Sequence, residues 1–488
     1  MITVLLDKAE FEYDIHSLVK SFFPAEDVFV ADRKKEKTTE TVSHHMEIHL
    51  GEDEIRFSLF RLDEEGEKTL VKQSSCPVEA VDVKERKNRL KRCLYRMLSE
   101  YTDQELPWGD LTGIRPTKIP MKLLEEGKSE EEIAAYMRNT YYTSQEKIQL
   151  GLDVAKRELA LLHRLDYENG YSLYIGIPFC PTTCLYCSFT SYSLGMWKNR
   201  VDEYLDALER EIDYVAAKFA HKKLNTIYIG GGTPTTLSAQ QLDRLIRKIK
   251  CSFDLSYLLE FTVEAGRPDS ITEEKLRVLK WHNVSRISIN PQTMKQETLD
   301  LIGRRHTVQQ TIDSFYLARE VGFDNINMDL IVGLPGESLS DVASTMEQIR
   351  ALDPDNLTVH SLAIKRAARL NTDWAKAQNF KMVNTEEHIH LTAQVAEEMG
   401  MTPYYLYRQK NMAGNFENVG YAKPGKAGIY NVLIMEEVQT IVACGAGSIT
   451  KRVYPDGQLT RCENVKDLAS YIRRIEEMIG RKRALFDK

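Results

Sequence analysis

Three cysteines fall within eight residues, in Tyr174-Ile-Gly176-Ile177-Pro178-Phe179-Cys180-Pro-Thr-Thr-Cys184-Leu-Tyr186-Cys187. The spacing C-x3-C-x2-C places three thiolates on one short loop. Thiolates are soft ligands, suited to zinc or to iron–sulfur clusters. Three of them can hold three corners of a cuboidal 4Fe–4S cluster and leave one iron open. Structural zinc takes four ligands, often as two separated pairs. No histidine lies within ten residues of this loop, and His163 is the nearest. Packing cysteines without a metal are the third alternative. The other five, Cys76, Cys93, Cys251, Cys444 and Cys462, are scattered.

Further polar groups stand at the ends of apolar runs. Gly230-Gly231-Gly232-Thr233 closes one run, and glycines there let the backbone approach a ligand closely; a tight strand–helix turn accounts for them equally. Glu264 ends Phe261-Thr-Val-Glu264, where a carboxylate suits a hydroxyl or an ammonium; a solvated strand-end acid is the plain alternative. Arg286 and Ser288 share one face of the next run by the period of two. Asp329 lies inside an apolar run, where an acid is costly unless paired. Arg304 can pair with a carboxylate, whereas Arg305 and His306 read as solvated helix-end residues.

These groups need a scaffold. Six units of strand then helix run from 171: strands 172–177, 225–229, 258–264, 284–289, 326–332 and 356–363, with helices 199–219, 238–250, 272–281, 307–321 and 338–351 between them. Apolar strands separated by helices imply a parallel sheet with right-handed crossovers. Six units are too few for the eight-stranded barrel, so the expected α/β fold is a partial, open (β/α)6 barrel with chemistry at the carboxyl ends of its strands. Residues 1–105 read as an α+β N-terminal domain that ends in a basic helix, and 106–170 as a helical linker region that opens on a loop. The barrel takes 171–365. A small α+β C-terminal extension takes 366–488, with 403–431 irregular surface, 432–455 strands about a glycine turn, and 464–482 a helix.

Composition narrows the class. The 488 residues are 42% hydrophobic and 28% charged, with a net charge of −7, which excludes a disordered chain and argues against nucleic-acid binding driven by bulk charge. No apolar run reaches the ~18 residues of a membrane span, and the first residues do not read as a signal peptide. The expected location is the cytoplasm, where thiols stay reduced.

The cysteine motif after a first strand, followed by a partial barrel, resembles the radical S-adenosylmethionine (radical SAM) superfamily. The longer form Tyr174-x-x-Ile177-Pro178-Phe179-Cys180 resembles its branch of oxygen-independent coproporphyrinogen III dehydrogenases and relatives (HemN/HemW-like). With Tyr404-Tyr-Leu-Tyr-Arg-Gln-Lys410 and Leu106-Pro-Trp-Gly109, it is most similar to the group called HemZ. The resemblance covers about 171–455.

It implies a 4Fe–4S cluster on Cys180, Cys184 and Cys187, with SAM on the open iron. One electron then cleaves the sulfonium to a 5′-deoxyadenosyl radical. It implies that Tyr174, Tyr186, Gly231, Gly232 and Thr233 bind the cofactor, as do Glu264, Gln292 and Arg304, the last two in R-x-S-x-x-x-Q and L-x-x-R segments. Asp329, Ala363 and Ile449 complete that set, and Glu264 and Arg304 join the cysteines as catalytic residues. The implied reaction is oxidative decarboxylation of coproporphyrinogen III to protoporphyrinogen IX. Arg304, Arg305, Lys365 and Arg366 would serve the propionates, and flavodoxin or ferredoxin would supply electrons to a monomer.

The chain departs from the pattern at Gly176, where the family usually has His, and at Ser188-Phe189, where the dehydrogenases carry Gly-Cys. Gly420-Tyr-Ala-Lys-Pro-Gly425 is similar to a motif of the haem-chaperone branch. A haem carrier with His360 or His306 as axial ligand is therefore an alternative, as is a radical SAM enzyme acting on haem or another substrate.

Overall fold

The structure is a computed structural model that describes residues 1–24, 26–32, 42–78, 81–188, 191–363, 383–409 and 416–487. The chain divides into two compact units, residues 1–156 with 407–417, and residues 157–406 with 418–488.

The first unit holds a five-stranded sheet in the order β2-β1-β3-β4-β5, made of β1 (Ile2–Leu6), β2 (Val28–Asp32), β3 (His44–Leu50), β4 (Glu54–Leu62) and β5 (Lys68–Pro77). Alternation sends Met46, Ile48, Leu50, Ile55, Phe57 and Leu59 into one core with the helices Glu12–Phe22 and Val83–Thr102, as a half-buried sheet requires. The basic helix pairs part of its charge within the unit. Arg86 donates to Gly51 O at 2.7 Å, Arg89 and Arg92 share Glu85, and Lys91 is buried. The loop that begins at 106 is not a loose linker. Trp108 is fully buried and donates to Glu417 Oε2 at 2.7 Å, while Lys147 bonds Glu417 Oε1 at 2.8 Å. Gly109 has φ of +56°, and a Cβ there would meet Tyr141 O at 1.8 Å. Turn-forming residues thus mark a sharp but packed bend.

The second unit is built on β6 (Gly170–Ile177), β9 (Lys223–Gly231), β10 (Glu260–Gly266), β11 (Arg286–Ile289), β12 (Ile326–Val332) and β13 (Asn356–Ser361). Each pairs in parallel with the next, which is the six-unit sheet expected. A two-residue pair, β7 (Phe179–Cys180) and β8 (Tyr192–Ser193), closes the ends of the cysteine loop. Three of the crossover helices start at capping boxes, Ser238/Gln241, Thr307/Gln310 and Ser338/Asp341, which satisfy orphan amides at the first turn.

Among the described residues the sheet continues past both edges to eleven strands, with β14 (Thr402–Tyr407) and β15 (Asn418–Ala422) beyond β13, and β16 (Thr440–Cys444), β17 (Ile449–Val453) and β18 (Leu459–Glu463) beyond β6. These added strands correct the reading of 403–431 as irregular surface. The segment forms β14 (Thr402–Tyr407) and β15 (Asn418–Ala422), the latter antiparallel to β13, and it buries Tyr404, Tyr405 and Tyr421. Gly420 fits because it has no side chain: a Cβ would lie 1.8 Å from Tyr405 Cε1. Residues 432–436 belong to the helix Ile429–Glu436 rather than to a strand. On the other edge, β16 (Thr440–Cys444) runs parallel to β6 and turns through glycines into β17 (Ile449–Val453), which pairs with β18 (Leu459–Glu463). That glycine turn therefore sits at the same end of the sheet as the cysteine loop.

Candidate active site

The cysteine loop leaves the carboxyl end of β6 and is bound on several sides. Gly232 N donates to Ile177 O at 2.8 Å and Thr233 N to Phe179 O at 2.7 Å, so the glycine turn after β9 rests on the start of the loop. Gly231 has φ of +112°, a left-handed backbone that favours glycine. At Gly232 a Cβ would lie 2.5 Å from Phe179 O and 3.0 Å from Cys180 Sγ. Leu185 N donates to Ile302 O at 3.0 Å, and Thr182 Oγ1 to Gly303 O at 3.0 Å.

Cys180 and Cys184 are buried and Cys187 is half-buried. Burial pushes the Cys180 thiol up to about 11, the neighbouring Cys187 and Cys184 add to this, and Thr233 Oγ1, 3.6 Å away, opposes it. Among the described residues no three His, Cys, Asp or Glu side chains converge on one ion. A 4Fe–4S cluster takes each thiolate at a separate corner. Three mutually close thiols under a side-chain-free glycine cradle fit a 4Fe–4S cluster held by Cys180, Cys184 and Cys187.

Arg304 is buried against this loop. Its Nη1 donates to Asn290 O and, at 3.2 Å, to Pro291 O, and although burial works against the charge, Tyr186 and Cys184 hold its pKa above the ordinary value. Tyr186 packs on Ile302, Ile331, Leu334 and Leu362. Gln292 adopts φ of +72°, rare for a side-chain-bearing residue. Two backbone bonds hold it there, Gln292 N to Asp329 O and Ile331 N to Gln292 O, both 2.9 Å.

Along the inner wall, Glu264 is half-buried. Desolvation raises its carboxyl to about 7, with Asp329 adding to the rise and the Tyr228 hydroxyl and Arg286 opposing it. Asp329 accepts from Asn327 Nδ2 at 2.7 Å and faces His360 Nε2 at 3.9 Å. Burial pushes its carboxyl up, but His360 and Asn327 bring it below the ordinary value. Asn327 in turn bonds Ser288 and Thr358. Tyr174, Tyr228 and Tyr430 stack on one another with nearly parallel rings.

The structure therefore brings together Tyr174, Cys180, Cys184, Tyr186, Cys187, Gly231, Gly232, Thr233, Glu264, Gln292, Arg304 and Asp329 at or near the active end of the barrel. Ala363 follows β13 and is half-buried, and Ile449 opens β17 with an exposed side chain. Lys365, Arg366 and Lys410 lie outside the described residues. His306 is a correction: it has no accessible surface and neither ring nitrogen has a hydrogen-bond partner. Burial and the adjacent Arg304 push its pKa down to about 3. Helix-end solvation does not apply to it, and a ring so enclosed cannot reach a bulky axial partner without rearrangement.

Arg267 escaped the reading of the sequence. It is buried, forks onto Asp269 at 3.0 and 2.7 Å, and donates to Thr182 Oγ1 at 2.6 Å, so it braces the cysteine loop. Its position one residue beyond the active end of β10 was the available signal.

A family model described as the radical SAM superfamily matches residues 174–349. The chain is 44% identical over 407 residues to the oxygen-independent coproporphyrinogen-III oxidase-like protein HemZ of Bacillus subtilis (strain 168), covering 82% of this chain and 81% of that protein. It is also 44% identical over 198 residues to the heme chaperone HemW of the same organism, covering 40% of this chain and 51% of that protein. The solved structure of coproporphyrinogen III oxidase (HemN) from Escherichia coli aligns with a TM-score of 0.51 at 24% identity, over 66% of this chain and 73% of that one, a likeness of fold. Fold and site define a radical SAM domain, whose cofactors are a 4Fe–4S cluster and SAM. Within that class, the chain belongs to the family of the oxygen-independent coproporphyrinogen-III oxidase-like protein HemZ, in the HemN/HemW-like branch.

Proposed function

We propose that the chain is a radical SAM oxidoreductase of haem biosynthesis that converts coproporphyrinogen III to protoporphyrinogen IX by oxidative decarboxylation of two propionates. The single observation that carries an enzymatic reading is the docking of a side-chain-free glycine turn onto a three-thiol loop at the mouth of a barrel lined by Glu264 and Asp329. The family to which the chain belongs supports that choice of substrate.

When bound, the cluster and SAM supply a 5′-deoxyadenosyl radical, and the hard chemistry is theirs. The protein's part is binding, orientation and exclusion of water. Cys180, Cys184 and Cys187 hold the cluster, and Arg267 and Arg304 fix the loop that carries them. Gly231 and Gly232 let the backbone come close to the cofactor. Glu264, Gln292 and Asp329 present acceptors to its hydroxyl and ammonium groups. With those cofactors bound, each propionate would become a vinyl group by overall loss of a hydrogen atom, carbon dioxide and one electron, the electron passing to a one-electron carrier. A flavodoxin- or ferredoxin-type protein supplies the electrons that start the cycle. Among the described residues no helix is long and apolar enough to cross a membrane.

The 44% identity to a heme chaperone favours a second reading, a haem carrier on the same scaffold. One anaerobic assay separates them: reconstituted protein, a reductant, SAM and coproporphyrinogen III, followed by mass spectrometry. Deoxyadenosine formed together with loss of carbon dioxide from the porphyrinogen establishes the dehydrogenase despite Gly176. Deoxyadenosine without change in the porphyrinogen retires that substrate and makes haem the next ligand to titrate.

A further inference from the structure

Tyr228 belongs to none of the motif positions to which a role was given, yet its hydroxyl donates to Glu264 Oε1 at only 2.5 Å. The ring stacks with two others. Tyr174 lies 6.1 Å away with 13° between planes, and Tyr430 lies 4.5 Å away with 23°. Gly230 follows two residues later on the same face of β9. A Cβ there would stand 2.8 Å from Tyr228 Cε1 and 3.2 Å from the Glu264 carboxyl, so the glycine clears the path between phenol and acid. The other groups facing Glu264 are Asp329 from β12, Arg286 from β11, Tyr174 from β6 and Tyr430 from the helix Ile429–Glu436. Asp329 is held by Asn327, and Arg286 Nε and Nη2 have no hydrogen-bond partner. Among the described residues Tyr228 is the donor that Glu264 has.

We propose that Tyr228 is a positioning residue: its hydrogen bond orients Glu264 and favours the ionised carboxyl that accepts from SAM. The inference rests on the reading that Glu264 contacts SAM. A phenol that donates to a carboxylate favours the ionised form. Here it opposes desolvation and Asp329, which lift the acid to about 7. Without the phenol, the acid takes up a proton at neutral pH and loses the charge-assisted bond to the cofactor.

The test is calorimetric titration of SAM into the full-length, cluster-loaded protein under anaerobic conditions, from about pH 6 to about pH 9. The unaltered protein gains affinity as pH rises through a midpoint near neutrality. In Tyr228→Phe the stack remains, the midpoint moves up by about one unit, SAM binds severalfold more weakly at neutral pH, and affinity recovers at the alkaline end. Gly230→Ala, which wedges the pair apart, moves the midpoint in the same direction and serves if Tyr228→Phe fails to load its cluster. A loss equal at every pH, or no shift in either variant, overturns the proposal. Glu264→Gln binding SAM as well as the parent sinks the underlying reading instead. Infrared titration of the Glu264 carboxyl in SAM-free protein, taken as a difference against Glu264→Gln, then judges the Tyr228 coupling by itself.

Discussion

At the scale of single residues, the site depends on what is missing as much as on what is present. Gly232 lies so close to Cys180 that one methyl group would have to displace either the loop backbone or the thiol. Overpacking of this kind costs about 1–3 kcal/mol, and here the strain falls on a cluster ligand. Gly232→Ala is therefore expected to remain folded while losing most of its bound iron and sulfide, measured per chain after anaerobic reconstitution. Gly480→Ala is the control: nothing lies within 4 Å of its Cβ, in the middle of the helix Ile475–Phe486, so it should keep full iron and gain up to about 1 kcal/mol of stability. Full iron in Gly232→Ala would remove the argument that the glycine turn cradles the cluster. The cysteines were legible because their spacing is local. Arg267 and His306 were not, because their roles come from burial by elements distant in sequence. His306 looks like any helix-end histidine until the packing around Arg304 closes over it.

At the scale of elements, the parallel strands were legible within a residue or two, since a buried strand must be apolar throughout and most of the crossover helices start at a capping residue. The edges of the sheet were harder to read. The segment 403–431 is rich in glycine and tyrosine, which suggests surface loops, but a ring lying over a glycine on the adjacent strand makes that composition strand-forming. The opposite edge depends on a buried ion pair. Lys482 and Glu211 contact at 2.5 Å with neither side chain exposed beyond 1%. Glu211 also receives Gly445 N, Tyr471 Oη and Asn464 Nδ2, so the last helix holds the glycine turn between β16 and β17 against the helix Val201–Phe219. Breaking a buried pair from one side costs about 3–5 kcal/mol, whereas replacing both partners often costs little. Lys482→Met should thus lower urea stability by that amount, and Glu211→Gln with Lys482→Met should recover most of it. Equal losses in the single and double variants would show that Asn464 and Tyr471, rather than the charge pair, hold the turn.

At the scale of the whole molecule, a stretch between two strands of the large sheet belongs to the other compact unit. Nothing in composition marks Glu417 as the partner of Trp108, 309 residues away, so this return of the chain was illegible in the sequence. Its physics is a buried carboxylate that accepts from the Trp108 indole and the Lys147 ammonium. Lys147 and Glu417 are 1% and 0% exposed at the side chain and 2.8 Å apart, and the attraction raises the Lys147 pKa in spite of its burial. Glu417→Ala leaves the Lys147 ammonium and the Trp108 indole N–H without this acceptor. The expected penalty is about 3–5 kcal/mol, confined to the first unit. Hydrogen exchange read by mass spectrometry should show faster exchange around Trp108 and along the helix Gln145–Leu162, with protection across β6, β9 and β10 unchanged. Lys147→Met with Glu417→Met, which removes both charges, should restore most of the lost protection. Faster exchange across the parallel strands as well would mean that the two units unfold as one, and the division of the chain into separate cooperative blocks would fall.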